Sequence, residues 1–326
     1  MAHPRRFESI MDAIGQTPMV RLNKIAEGIG ANVYAKLDFL NPMGSSKDRI
    51  AKYLVEQAEK DGRLRPGGLI IENSSGNTAM GLALMAIQKG YGLKAVVRDR
   101  TSKEKLDQLK ILGVDVHRVD ASLPPSHPDS YNNITPRLAK ELPNCYFPDQ
   151  HNNRENNEAH YRFTGPEIWE QMEGHIDAFV AGMGTGGTIA GVGRFLKEKN
   201  PNIKIVGVDV EGSIFTEYFR TGKVGEPSPY LLEGLGDEFL IGTADFSVID
   251  DMVQVADRIA FLAARELAKR EGLLAGGSSG AAIFATLQIA KGLPPGSTVV
   301  TLFPDSASRY LSTIYNDDWM REKGFM

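Results

Sequence analysis

Five short loops carry the side chains most suited to chemistry, and each borders a segment with a helical pattern. The first loop, residues 41–49, places Lys47 in the first turn of an amphipathic helix. The helix dipole and burial both disfavour a cation there, so the pKa of Lys47 should fall. A lysine with a lowered pKa is the nucleophilic amine that a Schiff base requires. Taken alone, however, this position is better explained as a solvated lysine.

The second loop, residues 72–78, is rich in groups that bind a carboxylate. Ser74, Ser75 and Thr78 supply hydroxyls, Asn77 supplies an amide, and a helix begins there. A cluster of helix-capping side chains around a glycine turn explains the same residues equally well.

The third loop, residues 182–188, contains four glycines and precedes a helix. Successive backbone N–H groups in such a loop form a nest for an anion, which favours phosphate binding. Gly182, Gly184 and Gly187 also match the G-x-G-x-x-G pattern, and Asp209 ends the next strand. A nicotinamide-dependent dehydrogenase is therefore the alternative from another class, although the pattern lies in mid-chain and leaves the other loops unexplained.

The fourth and fifth loops, residues 276–280 and 303–306, also lie at junctions of strands and helices. Binding sites of parallel α/β sheets gather at such junctions. Capping of a helix by serine is the simpler explanation for the fourth loop.

Composition excludes several classes of protein. The 37 Lys and Arg against 41 Asp and Glu give a formal charge of −4, which argues against a nucleic-acid partner. Cys145, the only cysteine, allows neither an internal disulfide nor a multi-cysteine metal site, and is predicted to be a small core residue in a strand. No apolar run is long enough for a membrane span, and residues 1–6 lack the apolar stretch of a signal peptide. We therefore expect a cytoplasmic protein without bound metal.

Apolar runs alternate with helical patterns along the chain. Strands are predicted at 32–37, 68–72, 93–97, 114–119, 178–181, 203–210 and 298–303, and helices at 47–60, 83–89, 103–112, 188–199, 257–270 and 279–291, with a loop at 122–133. Continuous apolar strands separated by helices indicate parallel sheets covered on both faces. Two such series, before and after about residue 150, predict an α/β fold with two three-layer domains.

The loops taken together, in this order, resemble the fold type II pyridoxal-phosphate enzymes, the tryptophan-synthase-β-like group that includes cysteine synthase and cystathionine β-synthase. The similarity runs from Ile14 to the end of the chain. The segments 207–213, 233–236, 304–306 and 318–325 are most similar to the catalytic core of the cystathionine β-synthases. The resemblance implies a smaller domain at 45–147, a larger domain at 1–44 plus 148–326, and an active site in the cleft between them.

The resemblance also implies a role for each site residue. Lys47 would carry pyridoxal 5′-phosphate covalently and act as the catalytic base. Further cofactor contacts are implied for Asn77, Gly184, Thr185, Gly186, Gly187, Thr188, Ser278, Pro304 and Asp305. Contacts with the substrate are implied for Ser74, Ser75, Gly76, Thr78, Gln150, His151, Gly234 and Asp237.

The implied reaction is β-replacement on L-serine or O-acetyl-L-serine through an aminoacrylate, with homocysteine as the thiol that gives cystathionine. Cysteine synthase activity with sulfide, or an amine nucleophile giving a diaminopropionate derivative, are alternatives. His151 and Asp237 depart from the usual residues of the family and leave both substrates open. His3 has no nearby cysteine, so no haem is expected, and the chain stops where some relatives carry a regulatory module. The family implies a homodimer.

Overall fold

The structure is a computed structural model that describes residues 6–124 and 126–326. The predictions that rest on residues 1–5, including His3, and on Pro125 lie outside the described residues. Within the described part, no helix is both long and apolar enough to cross a lipid bilayer.

The elements follow the chain in an alternating order. The strands are β1 (Met19–Arg21), β2 (Asn32–Leu37), β3 (Leu69–Glu72), β4 (Gly92–Arg98), β5 (Asp115–Val119), β6 (Cys145–Tyr146), β7 (Ala178–Gly182), β8 (Lys204–Val210), β9 (Asp251–Val255) and β10 (Thr298–Phe303). The α-helices are α1 (Lys47–Lys60), α2 (Asn77–Lys89), α3 (Lys103–Ile111), α4 (Tyr131–Glu141), α5 (Glu155–Ala159), α6 (Gly165–Gln171), α7 (Gly187–Lys199), α8 (Phe215–Thr221), α9 (Asp257–Glu271), α10 (Gly277–Gly292) and α11 (Asp317–Glu322). A π-helix spans His160–Thr164, and short 3₁₀ helices span Ile10–Ala13, Asp38–Leu40, Phe246–Val248 and Ala307–Arg309.

The chain divides into two compact units. The first contains the described residues up to Gly15 together with Asn41–Glu155, and the second contains Gln16–Leu40 and Asn156–Met326. The division that the sequence analysis predicts, 45–147 against the remainder, stays a prediction.

The first unit is built on a parallel sheet with the strand order β5-β4-β3-β6. Ile70, in β3, packs in a cluster with residues of α1 and α2. Its neighbour Ile71 packs in a second cluster with Ile134 of α4. Successive side chains of a strand point to opposite faces, so both faces of this sheet are covered and its strands are apolar throughout.

The second unit has a sheet with the strand order β1-β2-β10-β7-β8-β9. β1 pairs with β2 antiparallel, and the other pairs are parallel. Val299 and Phe303 of β10 pack with residues of α9 and α10, whereas Val300 and Leu302 pack on the other face with residues of α7. The predicted α/β class with mostly parallel sheets is confirmed.

Two local predictions need correction. The segment 122–133 is not a loop throughout, because Tyr131 begins α4. Pro136 favours a break in a helix, but Ile134 and Thr135 are buried in the same segment, and this packing outweighs the proline. Cys145 begins a strand as predicted, but it is half-buried at the edge of its sheet rather than a core residue.

Candidate active site

Lys47 is the first residue of α1 and is half-buried. The loop before it turns at Gly44, whose φ of 79° lies in the left-handed region. The Met43 N–H donates to the Asp48 carboxylate at 2.6 Å, and the Lys47 N–H donates to the Ser45 hydroxyl oxygen at 3.3 Å. These bonds fix the start of α1 from both sides, so the backbone position of Lys47 is well determined.

Helix α2 approaches the start of α1 closely. A Cβ at Gly81 would lie 3.0 Å from the carbonyl oxygen of Lys47. Only a glycine allows this approach without displacement of one helix. Gly81 is one turn along α2 from Asn77, so Lys47 and the hydroxyl-rich loop lie in the same part of the first unit.

The loop before α2 is organised by its own side chains. The buried Ser74 hydroxyl accepts the N–H groups of Gly76, at 3.3 Å, and Ala79, at 3.4 Å. Ser75 and Asn77 are half-buried. Ser74 therefore does act as a capping residue, and the hydroxyl and amide of Ser75 and Asn77 stand beside the first turn of α2.

Gln150 joins this loop from another strand end. β3 and β6 are paired, so the loop after β6 lies beside the loop after β3. The buried Thr78 hydroxyl donates to Gln150 Oε1 at 2.5 Å. The structure thus brings together the predicted substrate residues of the first unit, Ser74, Ser75, Gly76, Thr78 and Gln150. His151 follows Gln150 and is half-buried.

Glu72 is hydrogen-bonded to this group of residues and is absent from the predicted site residues. It ends β3 and is 0% exposed. One carboxyl oxygen accepts the Asn73 N–H at 3.1 Å, and the other accepts the Gln150 N–H at 3.4 Å. Burial, with a smaller contribution from the charge of Asp149, raises the pKa of Glu72 to about 8.

In the second unit, several positions of the glycine loop between β7 and α7 have no room for a Cβ atom. A Cβ at Gly184 would lie 2.3 Å from the Gly234 carbonyl oxygen, and one at Gly187 would lie 2.0 Å from Asn156 Oδ1. Gly186 has a φ of 77°, in the left-handed region. The glycines are therefore required by close packing as well as by any ligand.

Side chains behind the glycine loop orient its two threonines. The Thr185 hydroxyl accepts a hydrogen bond from Asn156 Nδ2 at 3.2 Å. The Thr188 hydroxyl lies 3.2 Å from His160 Nε2, and His160 Nδ1 lies 2.9 Å from the Thr164 hydroxyl. His160 is buried in the π-helix, an element that is frequent at functional sites. Sequence reasoning missed Asn156 and His160, and the glycine motif gives no signal for them.

Ser278 lies at the second position of α10 and is 4% exposed. Its hydroxyl makes no side-chain hydrogen bond to the described part of the chain. Asp305, which follows β10, holds the start of this helix. Its carbonyl oxygen accepts the Gly276 N–H at 2.9 Å, and its carboxylate accepts the Tyr310 hydroxyl at 2.7 Å.

The segment 232–237 links the glycine loop to the start of α10. A Cβ at Gly184 would meet Gly234, as described, and a Cβ at Gly277 would lie 2.7 Å from Leu232. The predicted site residues of the second unit therefore lie beyond the carboxyl ends of its parallel strands. These residues are Gly184 to Thr188, Gly234, Ser278, Pro304 and Asp305. Asp237 is half-buried, and its carboxylate accepts the N–H groups of Glu238 at 2.7 Å and Phe239 at 3.3 Å. This carboxylate stabilises its own turn.

Asp209 is the residue on which the dehydrogenase alternative depends. It is 0% exposed, and its carboxylate accepts the N–H and the hydroxyl of Thr216 at 2.9 and 2.8 Å. The Val210 N–H donates to its other oxygen at 2.9 Å. A carboxylate held inside the protein in this way does not bind a ribose, so the geometry disfavours this alternative.

A two-sheet α/β fold with a lysine at a helix start and a glycine-rich loop before another helix is compatible with an enzyme that binds a phosphate-bearing cofactor. Residues 10–305 match the model of the family described as pyridoxal-phosphate dependent enzyme. The chain belongs to this family, and its cofactor is pyridoxal phosphate.

Individual members of the family are similar to the chain over most of its length. The chain is 44% identical to the cystathionine β-synthase of Apis mellifera over 319 residues, which are 97% of this chain and 63% of that protein. It is 43% identical to the cystathionine β-synthase of Mus musculus, over 99% of this chain and 58% of that protein. The chain thus spans about three fifths of the length of these relatives.

Two shorter relatives match over nearly their whole length. The cysteine synthase of Staphylococcus aureus strain Mu50 is 43% identical, over 95% of this chain and 98% of that protein. The crystal structure of an O-acetylserine-dependent cystathionine β-synthase from Helicobacter pylori superimposes with a TM-score of 0.87 at 39% identity, over 96% of this chain and 100% of that chain.

The polar groups of the second unit fit pyridoxal phosphate. The glycine loop offers backbone N–H groups, two oriented threonine hydroxyls and the start of a helix of 13 residues, with no acidic side chain among residues 182–188. The buried Ser278 hydroxyl is available to a pyridine nitrogen. The donor set therefore suits a phosphate and an aromatic ring nitrogen.

Proposed function

We propose that the chain catalyses β-replacement on O-acetyl-L-serine or L-serine, with homocysteine as the nucleophile and cystathionine as the product. The observation that carries the proposal is the group of Ser74, Thr78 and Gln150 at the ends of β3 and β6, which suits the carboxylate of an amino acid. The similarity to cystathionine β-synthases over nearly the whole chain supports the choice of reaction.

Lys47 is the proposed catalytic residue and the lysine that carries the cofactor. Its place at the start of α1, fixed by Met43, Ser45 and Asp48, supports this role. The Lys47 amine removes the proton from the substrate Cα and later returns it, as a general base and then a general acid. When bound, pyridoxal phosphate supplies the electron sink that makes this proton acidic.

The remaining residues bind and orient. Residues 184–188 would hold the phosphate, with Thr185 and Thr188 oriented by Asn156 and His160. Asn77 would donate to the phenolic oxygen of the cofactor, and Ser278 would face its ring nitrogen. Ser74, Ser75, Gly76, Thr78 and Gln150 would bind the substrate carboxylate.

Cysteine synthase activity with sulfide is the second candidate. The full-length match to the Staphylococcus aureus cysteine synthase supports it, and the carboxylate-binding group is the same for both reactions. His151 and Asp237 are the proposed contacts on the side of the nucleophile. We also propose that the enzyme is a homodimer, as a carry-over from the family resemblance.

The test is product analysis with purified protein loaded with pyridoxal phosphate. Each of L-serine and O-acetyl-L-serine is supplied with either homocysteine or sulfide, and products are identified by mass spectrometry. We expect cystathionine from homocysteine. Faster formation of cysteine from sulfide would favour the second candidate, and the absence of product from all four pairs would exclude both.

Lys47→Ala tests the catalytic residue in the same assay. We expect turnover to fall by about a thousandfold or more, and the cofactor to be lost on denaturing gel filtration after borohydride reduction. Lys60→Ala is the matched control, because Lys60 is an exposed lysine at the other end of α1 and should leave both readouts unchanged. Retained turnover in Lys47→Ala would remove this residue from its role.

A further inference from the structure

We infer that Glu72 is a positioning residue that joins the two loops of the carboxylate-binding group and holds them in register. The inference rests on the proposed function, in which Ser74, Thr78 and Gln150 bind the substrate carboxylate. The Glu72 side chain itself touches neither the substrate nor the cofactor in this proposal.

The geometry assigns one carboxyl oxygen to each loop. The Asn73 N–H, which begins the loop before α2, donates to Glu72 Oε1, and the Gln150 N–H donates to Glu72 Oε2. Side chains from the same two loops meet again 2.5 Å apart, where the Thr78 hydroxyl donates to Gln150. The loops are therefore connected twice, once through Glu72 and once through the bond from Thr78 to Gln150.

The backbone on the far side of this connection is strained. Asp149 has a φ of 50°, in the left-handed region that non-glycine residues rarely adopt. A conformation of this kind persists only where its surroundings determine it. The bond from the next residue, Gln150, to Glu72 stabilises the turn that Asp149 makes.

Water does not reach the Glu72 side chain, so it cannot replace the hydrogen bonds that the carboxyl group accepts. It is 0% exposed, and Tyr131 and Tyr146 also lie within electrostatic range of it. Burial raises its pKa, because the charged form of the carboxyl group loses its contact with water. A buried acid at this place is explained by the backbone N–H groups of Asn73, Asp149 and Gln150, because an apolar residue would leave them without this acceptor.

The experiment compares Glu72→Met and Glu72→Gln with wild-type holoenzyme by hydrogen–deuterium exchange and steady-state kinetics at about pH 9, where the wild-type carboxyl group is ionised and both of its oxygens accept. Methionine keeps the volume but accepts no strong hydrogen bond, and glutamine keeps one acceptor oxygen. In Glu72→Met we expect amide exchange to be at least about tenfold faster than in wild type, both in the peptide containing residues 73–78 and in the peptide containing residues 149–151. The KM for the amino-acid substrate should rise by about tenfold with a smaller change in kcat, and Glu72→Gln should lie between the two.

Glu59→Met is the matched control. Glu59 lies in the same unit and also accepts two hydrogen bonds, from Lys89 and Tyr91 at 2.7 Å each, but it is remote from both loops in the hydrogen-bond network. The inference would be overturned if residues 73–78 and 149–151 exchange at the same rate in Glu72→Met as in Glu59→Met. If Glu72→Met does not fold, the same comparison is made with Glu72→Gln.

The exchange readout separates this inference from the proposed function. It is recorded without substrate, so it reports the coupling of the loops whatever reaction the enzyme catalyses. Wild-type protein that turns over none of the offered amino acids would contradict the proposed function alone. Normal turnover with unchanged exchange in both Glu72 variants would contradict the positioning role alone.

Discussion

A hydroxyl group at the second position of α10 cannot hold a positive charge on a pyridine nitrogen as a carboxylate would. With Ser278 in its proposed place beside the ring nitrogen of the cofactor, electrons would spread less far into the ring, and elimination would be favoured over reactions that need a long-lived carbanion. We expect Ser278→Asp to change the visible spectrum of the holoenzyme and to slow elimination at least about tenfold.

Ser279→Ala is the control for Ser278→Asp. Ser279 is also a buried hydroxyl at the start of α10, and its Oγ has no hydrogen-bond partner among the described residues. Removing it should leave spectrum and rate unchanged. Equal behaviour of the two variants would refute the assignment of Ser278 to the ring nitrogen.

Glu72 also predicts how stability depends on pH. Its pKa is about 8 in the folded protein against 4.5 in the unfolded chain, so between these values the folded state keeps a proton that the unfolded state releases. The stability associated with Glu72 is thus complete below about pH 4.5 and declines as the pH rises through 8. Asp149, Tyr131 and Tyr146 face the same carboxyl group, and Arg98 lies over the Tyr131 ring.

Glu72→Gln removes this dependence, because its amide does not titrate. The free energy of unfolding is measured in urea at pH 5 and at pH 8.5 for both proteins. From the lower to the higher pH, wild type should lose on the order of 3 kcal/mol more of this free energy than Glu72→Gln does. A difference between the two proteins that is the same at both pH values would contradict the raised pKa.

The residues that carry a motif could be predicted, and the residues that support them could not. Lys47 and the glycines of residues 182–187 stand in short segments whose spacing is itself the signal. Glu72 and His160 act through contacts with Gln150, 78 residues away, and with Thr188, 28 residues away. Such contacts arise only once strands and helices have packed, so local patterns contain no trace of them.

Among the elements, the glycine loop and α7 form a unit that tolerates little change. Gly184→Ala would place a Cβ 2.3 Å from the Gly234 carbonyl oxygen, so the loop or the segment beside it must move. We expect the affinity for pyridoxal phosphate, measured by fluorescence titration, to fall at least about tenfold.

Gly292→Ala is the matched glycine variant for this measurement. Gly292 ends α10, and a Cβ there would meet no atom within 4 Å. Its affinity for the cofactor should equal that of wild type. An unchanged affinity in Gly184→Ala would contradict this prediction, because it would show that the loop accommodates the Cβ without loss of cofactor binding.

Elements with a strong apolar pattern were predictable, and those defined by their neighbours were not. The bounds predicted for α1, β2 and β10 agree with the structure, because each has a clear period or a continuous apolar run. α4 contains Pro136 and follows a run of turn-forming residues, so its pattern favours a loop. Its helical form depends on the burial of Ile134 and Thr135.

At the scale of the whole molecule, the proposed homodimer has a direct test. Sedimentation equilibrium of the holoenzyme should give about twice the chain mass of 35.7 kDa at micromolar concentration. A mass equal to that of one chain over the whole concentration range would reject the dimer without affecting the proposed chemistry. The near-neutral charge of −4 leaves no strong repulsion to oppose self-association.

The pairing of β3 with β6 makes the number of residues in the segment 147–149 a constraint in its own right. β6 is only two residues long, and Tyr146 is fixed opposite Ile70. Three residues then separate Tyr146 from Gln150. An insertion of one residue would bring Asp149 to the place of Gln150, and a deletion would bring His151 there. This short connection should therefore accept almost no change in residue number.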